Sequence, residues 1–231
     1  MREAPRQLVL DLPVDPRFGR EDFLVSRSNQ DAFRLIERWP DWPETLLHLQ
    51  GPPGSGKSHL AAIWAARSGA RIVAARMIGP DEVPELASGT ALVLEDVDDG
   101  PLDEPALFHL MNLARERRLP LVFTSAHPLD PTRITTPDLL SRLRLAPSIS
   151  LGSPDDDLLR AVLVKLFGDR QLTVEANVVA YLAMRIERSL AAAAQVVAAL
   201  DREALSRGRR VTRAIAAELV GAEPDSELAE E

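Results

Sequence analysis

Residues 51–58 read Gly51-Pro52-Pro53-Gly54-Ser55-Gly56-Lys57-Ser58. A glycine, four variable residues and then Gly-Lys-Ser is the P-loop pattern. Its glycines let the backbone curl around a phosphate with several N–H groups turned inward, and the helix that follows offers its positive end. In this pattern Lys57 reaches the β- and γ-phosphates and Ser58 ligates Mg²⁺. A glycine-rich turn before a helix need not bind anything. Here, however, the run lies between a predicted strand, Leu46 to Leu49, and a predicted helix that starts at Lys57 and Ser58, as the pattern requires. The chemistry expected of Gly51 to Ser58, with His59 next along the helix, is binding of ADP or ATP together with Mg²⁺.

A second element belongs with such a loop. Ala91-Leu92-Val93-Leu94 is an apolar strand that runs into Glu95-Asp96-Val97-Asp98-Asp99. Taken alone, acidic residues after a strand are most often a solvated loop. About forty residues after a P-loop, a carboxylate there can hold Mg²⁺ through water while its neighbour orients an attacking water. Glu95 and Asp96 are the candidates for both roles, as metal-holding and catalytic residues.

The elements that must carry these groups alternate. A helix is predicted from about Asn29 to Pro40, and Gly69 terminates the helix after the P-loop. Further strands are predicted over Arg71 to Ala75, Leu121 to Thr124 and Ile149 to Leu151, with helices over Leu107 to Arg117 and Pro137 to Leu143. Strands alternating with helices imply an α/β fold, a parallel five-stranded sheet flanked by helices. After Ser153-Pro154 the pattern becomes wholly helical. Stripes at Leu158/Leu159/Val162/Leu163/Leu166, Val178/Val179/Leu182/Ile186 and Leu190/Ala193/Val197/Leu200/Ala204 mark three helices, and Thr212 caps a fourth that ends near Gly221. The expected organisation is a flexible tail over 1–20, a nucleotide-binding core over 21–152, a small helical lid over 153–222 and a disordered acidic tail over 223–231.

The 231 residues carry a formal charge of −8, which argues against nucleic acid as the main partner, because phosphate contact needs clustered Lys and Arg. There is no cysteine, so disulfides and thiolate metal sites are excluded. His48, His59, His109 and His127 show no metal-ligand spacing. No run has the length and apolarity of a bilayer span or a signal peptide, which fits the cytoplasm.

On these motifs the chain resembles the AAA+ superfamily and, within it, the group of the replication initiator DnaA, over about residues 18–221. Phe23-Leu24-Val25 followed by Ser28-Asn29 resembles the lead-in segment that packs near the adenine. Thr124-Ser125 resembles sensor 1, Leu140-Ser141-Arg142-Leu143 the arginine-finger segment, and Arg188-Ser189-Leu190 sensor 2 in the lid. The order and spacing of these motifs after the P-loop carry the resemblance. DnaA initiators continue into a helix-turn-helix domain, whereas this chain stops about ten residues past its last predicted helix. That makes it similar to the Hda/HdaA proteins, DnaA-related regulators that inactivate the initiator, and implies no sequence-specific DNA binding of its own. Gln7-Leu8-Val9-Leu10-Asp11-Leu12 resembles the peptide with which such regulators dock on the DNA polymerase sliding clamp, Gln7, Leu8, Leu10 and Leu12 being the contact residues. Alternation at Leu8, Leu10 and Leu12 also suits an edge strand, but Pro5 and Pro13 isolate the segment from the sheet.

The resemblance implies that Lys57, Ser58, Asp96 and Arg188 serve this chain's own nucleotide, while Arg142 enters the ATP site of DnaA and stimulates hydrolysis there. Glu95 stands where DnaA-like proteins usually carry the first of two aspartates, so intrinsic hydrolysis is expected to be weak and binding intact. The competing expectation is an autonomous AAA+ ATPase, a homo-oligomer that loads or remodels another replication factor.

Overall fold

A computed structural model describes residues 18–221. The chain divides between Ser153 and Pro154 into two compact units. The first contains α1 (Gln30–Glu37), β1 (Leu46–Gln50), α2 (Lys57–Ser68), β2 (Arg71–Ala74), α3 (Val83–Ala87), β3 (Leu92–Glu95), α4 (Glu104–Glu116), β4 (Leu121–Ser125), α5 (Pro137–Arg144) and β5 (Ser148–Ser150).

The five strands form one sheet in the order β2-β3-β4-β1-β5, and every pairing is parallel. Successive side chains of a strand point to opposite faces, so a strand covered on both sides is apolar throughout. Leu92, Leu94, Leu121 and Phe123 pack into the layer made by α3, α4 and α5. Leu47, Leu49, Val93 and Val122 pack on the other face against α1 and α2. Trp64 of α2 is fully buried there, with Trp42 stacked on it at 5.5 Å and Trp39 edge-on at 6.1 Å. Two cores thus clamp the sheet and leave its strand ends free to carry chemistry.

Some boundaries differ from the sequence expectation. Helix α4 starts at Glu104 because the Asp103 carboxylate accepts the Ala106 N–H at 2.9 Å and Pro105 suits a first turn. Helix α3 has five residues, too few to show a helical period. Residues 18–20, assigned above to the tail, are tied down: Phe18 packs edge-on against His59, the Gly19 carbonyl is bonded to the His59 ring at 2.9 Å, and Arg20 pairs with Glu37.

The second unit contains α6 (Asp156–Asp169), α7 (Ala176–Ala183), α8 (Leu190–Arg207) and α9 (Arg213–Gly221). Leu159, Leu163, Val178, Leu182, Val197 and Leu200 make its core. Asp155 caps α6 by accepting the Leu158 N–H at 2.8 Å, Ser189 caps α8, and Gly208 closes α8 with a φ of 60°. No helix among the described residues is long and apolar enough to cross a membrane.

Candidate functional site

The loop between β1 and α2 has the backbone that its glycines allow. Gly54 and Gly56 stand at φ 70° and 100°, the left-handed region that other residues avoid. Gly51 is required for a different reason. A Cβ there would lie 2.4 Å from the Leu151 carbonyl oxygen, a backbone atom that cannot move aside without displacing β5. No side chain caps the N-terminus of α2, so the first amides of this 12-residue helix and its dipole are left for the loop. Ser55 is buried and its hydroxyl has no hydrogen-bond partner among the described residues. Lys57 is 7% exposed, and its ammonium donates to the Gly51 carbonyl at 2.6 Å and the Pro52 carbonyl at 3.1 Å. Burial pushes its pKa below the usual lysine value, against the opposing negative charge of Asp96, Asp98 and Glu95. The sheet therefore brings the acidic run beside the P-loop lysine. Ser58 is exposed in the first turn of α2.

Strand β4 lies between β1 and β3, so its end separates the P-loop from the acidic run. Glu95 is the last residue of β3, and Asp96 leaves the strand at φ 56°, a left-handed conformation that Asp tolerates better than most. That turn aims the Asp96 N–H at the buried Thr124 hydroxyl, 2.9 Å away, while the Val97 N–H donates to the Thr124 carbonyl. Asp98, in the same run, is 6% exposed. Its carboxylate accepts from the Ala126 and His127 backbone N–H groups and from the His127 ring at 2.8–3.0 Å. Burial disfavours the Asp98 charge, but these bonds outweigh it and hold the carboxyl below its ordinary value.

A second tie crosses the sheet. His48 of β1 is buried and stacks on Phe123 at 4.6 Å. The Ser125 hydroxyl donates its hydrogen to the His127 carbonyl at 2.7 Å, so in the Nε2 contact of 2.8 Å the imidazole is the donor. Nδ1 is then the acceptor for the Ser148 hydroxyl at 3.1 Å. Burial pushes the His48 pKa down to about 4 against the opposing charge of Asp98, which keeps the ring neutral in this tautomer. Ser148, His48, Ser125, His127 and Asp98 thus join β5, β1 and β4 to the turn after β3. His48, Asp98 and His127 were not among the residues picked from the sequence. A histidine inside Leu46-Leu47-His48-Leu49 was the one local signal, because a polar side chain in a buried strand needs partners.

No protein-family model matches the chain, and no curated protein matches it. Solved structures do. Domain III of the Thermotoga maritima replication initiation protein DnaA aligns at a TM-score of 0.72 with 18% identity, over 91% of this chain and 98% of that one. AMPPCP-bound DnaA from Aquifex aeolicus gives 0.64 and 16% over 83% and 67%. The Thermotoga maritima RuvB Holliday junction branch migration motor gives 0.68 and 15% over 90% and 73%. The fold is that of the AAA+ ATPases.

Within this core the lead-in segment reaches the P-loop helix. Phe23 is buried between Phe33, stacked at 5.4 Å, and the edge-on His59 ring at 5.1 Å. Asn29 accepts the Ser26 N–H and donates to the Leu24 carbonyl, and the Ser28 carbonyl accepts from Gly152. Val25, on this segment, is half exposed. His59 is engaged with the segment through its T-shaped contacts to Phe18 and Phe23 and its bond to Gly19.

Arg142 is not part of this cluster. It lines a cavity of about 230 Å³ with Thr45, Leu46, Met111, Arg115 and Leu145. Thr45 and Leu46 stand at the start of β1, whereas the P-loop leaves its end, so the length of the strand, about 16 Å, separates the two places. Arg188 lies in the helical unit, where it pairs with Asp156 at 2.8 Å. Gln7, Leu8, Leu10 and Leu12 lie outside the described residues. Among the described residues no three His, Asp or Glu side chains are grouped to hold a metal. Mg²⁺ does not need such a cage when phosphates complete its shell.

Proposed function

We propose that this chain is a nucleotide-binding AAA+ regulator of replication initiation, of the DnaA-inactivating kind, that supplies Arg142 in trans to the ATP site of DnaA. The observation that carries the reading is the place of Arg142 at the sheet edge opposite its own P-loop, half-buried in a cavity and free of any carboxylate partner among the described residues. An arginine so far from the chain's own phosphates is suited to another molecule's.

The chain's own site fits an adenine nucleotide with Mg²⁺. The backbone amides of Gly51 to Ser58 and the end of α2 would hold the phosphates, with Thr124 as a further contact. Lys57 would exchange its bonds to the Gly51 and Pro52 carbonyls for phosphate oxygens. Ser58 would ligate Mg²⁺ directly, and Glu95 and Asp96 would hold it through water. These are the hard oxygen donors that Mg²⁺ prefers. A related fold, DnaA, is known with AMPPCP bound, which supports adenine as the base. Bound in this way, the nucleotide is a structural ligand, and the hydrolysis that matters occurs in DnaA. There the Arg142 guanidinium neutralises charge that develops on the γ-phosphoryl group, an effect worth roughly 10³–10⁵ in rate in comparable systems. Gln7, Leu8, Leu10 and Leu12 would dock the chain on the sliding clamp by peptide-in-groove recognition.

The test is phosphate release by ATP-bound DnaA on clamp-loaded DNA, with and without this protein. Stimulation by the wild type and its loss in Arg142→Ala are expected. Absence of stimulation, or equal stimulation by the variant, overturns the reading. The carboxylates beside Lys57 favour one rival, an autonomous ATPase. Rapid turnover by the isolated chain, abolished by Lys57→Ala, would establish that rival instead.

A further inference from the structure

The cavity that holds Arg142 holds a second arginine. Arg115, from the last turn of α4, also lines it. Neither guanidinium makes a hydrogen bond or an ion pair among the described residues. Arg118, nearby in the chain, is likewise without a side-chain bond among the described residues, but Arg117 and Arg144 are tied. Arg117 donates to the Ala87 carbonyl at 3.0 Å, and Arg144 donates twice to the Leu129 carbonyl at 3.1 and 2.7 Å. Those two hold the fold together, and Arg115 and Arg142 do not. Leu46, Met111 and Leu145 give the lining apolar surface beside the polar Thr45, and Leu145 is 66% exposed. Glu44 is the one carboxylate in the lining and pairs with neither arginine. Two like charges beside low-dielectric walls repel, and an anion relieves that repulsion. Planar guanidiniums from two helices suit a group with several acceptor oxygens, which a phosphate is.

We propose that Arg115 is a second cation of this site, and that Arg115 and Arg142 together receive the terminal phosphate of a nucleotide bound to a partner AAA+ module. The proposal rests on the reading that Arg142 acts in trans. The two arginines divide the work. Arg142 meets charge that appears in the transition state. Arg115 binds phosphate oxygens equally in the ground and transition states, so it sets the affinity for the ATP-bound partner and leaves the maximal rate alone.

The experiment titrates the protein against ATP-bound DnaA on clamp-loaded DNA and follows phosphate release. Arg115→Ala is expected to raise the half-saturating concentration by about 10- to 100-fold, the range for a lost charge-assisted contact, with the plateau within about two-fold. Arg115→Lys is expected to recover part of the loss, and Arg142→Ala to collapse the plateau. A wild-type titration curve for Arg115→Ala, alongside a collapsed plateau for Arg142→Ala, overturns the role of Arg115 and leaves the trans reading standing. An unchanged plateau in Arg142→Ala, or no stimulation by the wild type, overturns both. A third arm measures binding of free ATP to Lys57→Ala, whose own P-loop is disabled. Arginine-dependent binding there would make the cavity a free-nucleotide site and overturn the partner-bound assignment.

Discussion

The two edges of the parallel sheet carry charged side chains in opposite states. At the edge where β1, β3 and β4 end, Lys57 donates to two carbonyls, Asp98 accepts from two amides and an imidazole, and the Asp96 N–H is held by Thr124. At the edge where β1 and β4 begin, Arg115 and Arg142 share a cavity with no bond to anything described. Both edges are built from the same strands, and in the proposed function both meet phosphate. They differ in what orders them. A group that holds a ligand in its own chain is pre-positioned by neighbours, which limits the entropy lost on binding. A group meant for another molecule must stay available, and its positioning is completed by that molecule.

The largest expected difference between the edges is functional. Lys57→Ala should abolish nucleotide binding by this chain, measured with a fluorescent ATP analogue, whereas Arg142→Ala should leave that affinity within about two-fold. In the DnaA hydrolysis assay Arg142→Ala should cost on the order of 10³-fold. Equal effects of the two variants on the chain's own binding would erase the distinction between the edges.

Next comes the response to acid, which should arise at the P-loop side. The folded pKa of His48 is about 4 against an ordinary 6.5, so the unfolded chain binds the extra proton first as pH falls. Stability is full above about 6.5 and declines as pH drops towards 4, by about 3 kcal/mol from this one residue. Urea unfolding across that window should show the slope in the wild type and a flatter one in His48→Gln. Asp98 adds its own loss below the ordinary carboxyl range, since its pKa is held down.

Gly51→Ala should destabilise by roughly 1–3 kcal/mol, because its Cβ meets the Leu151 carbonyl. Thermal melting reads this directly, and a wild-type melting temperature would mean the loop yields more easily than the contact implies. The smallest effect belongs to the other edge. Arg115→Ala should change unfolding free energy by less than about 0.5 kcal/mol, since no folded-state bond is lost. A larger loss would assign Arg115 a structural role.

Local pattern made part of this legible. Gly51 to Ser58 identifies itself, because the glycines, Lys57 and Ser58 are contiguous and their chemistry depends on that spacing. The apolar runs Leu92-Val93-Leu94 and Leu121-Val122-Phe123 report a sheet covered on both faces, and Asp103 before α4 shows how a cap shifts a boundary. Asp98 was hidden, since in sequence it looks like its exposed neighbour Asp99. Its burial depends on the turn after β4, which arrives from about thirty residues away.

By itself, then, the sequence determined the P-loop, the alternation of strands and helices, and the change to an all-helical second unit. These follow from residue type and short-range period. Tertiary structure alone decided that β4 inserts between β1 and β3, so that Thr124 meets Asp96. It also decided that His48, Ser125 and Ser148 join three strands, and that Arg115 of α4 and Arg142 of α5 face one cavity at the edge remote from Lys57. Each of these pairs residues far apart in the chain. Such contacts arise from strand order and packing, which no local spacing encodes.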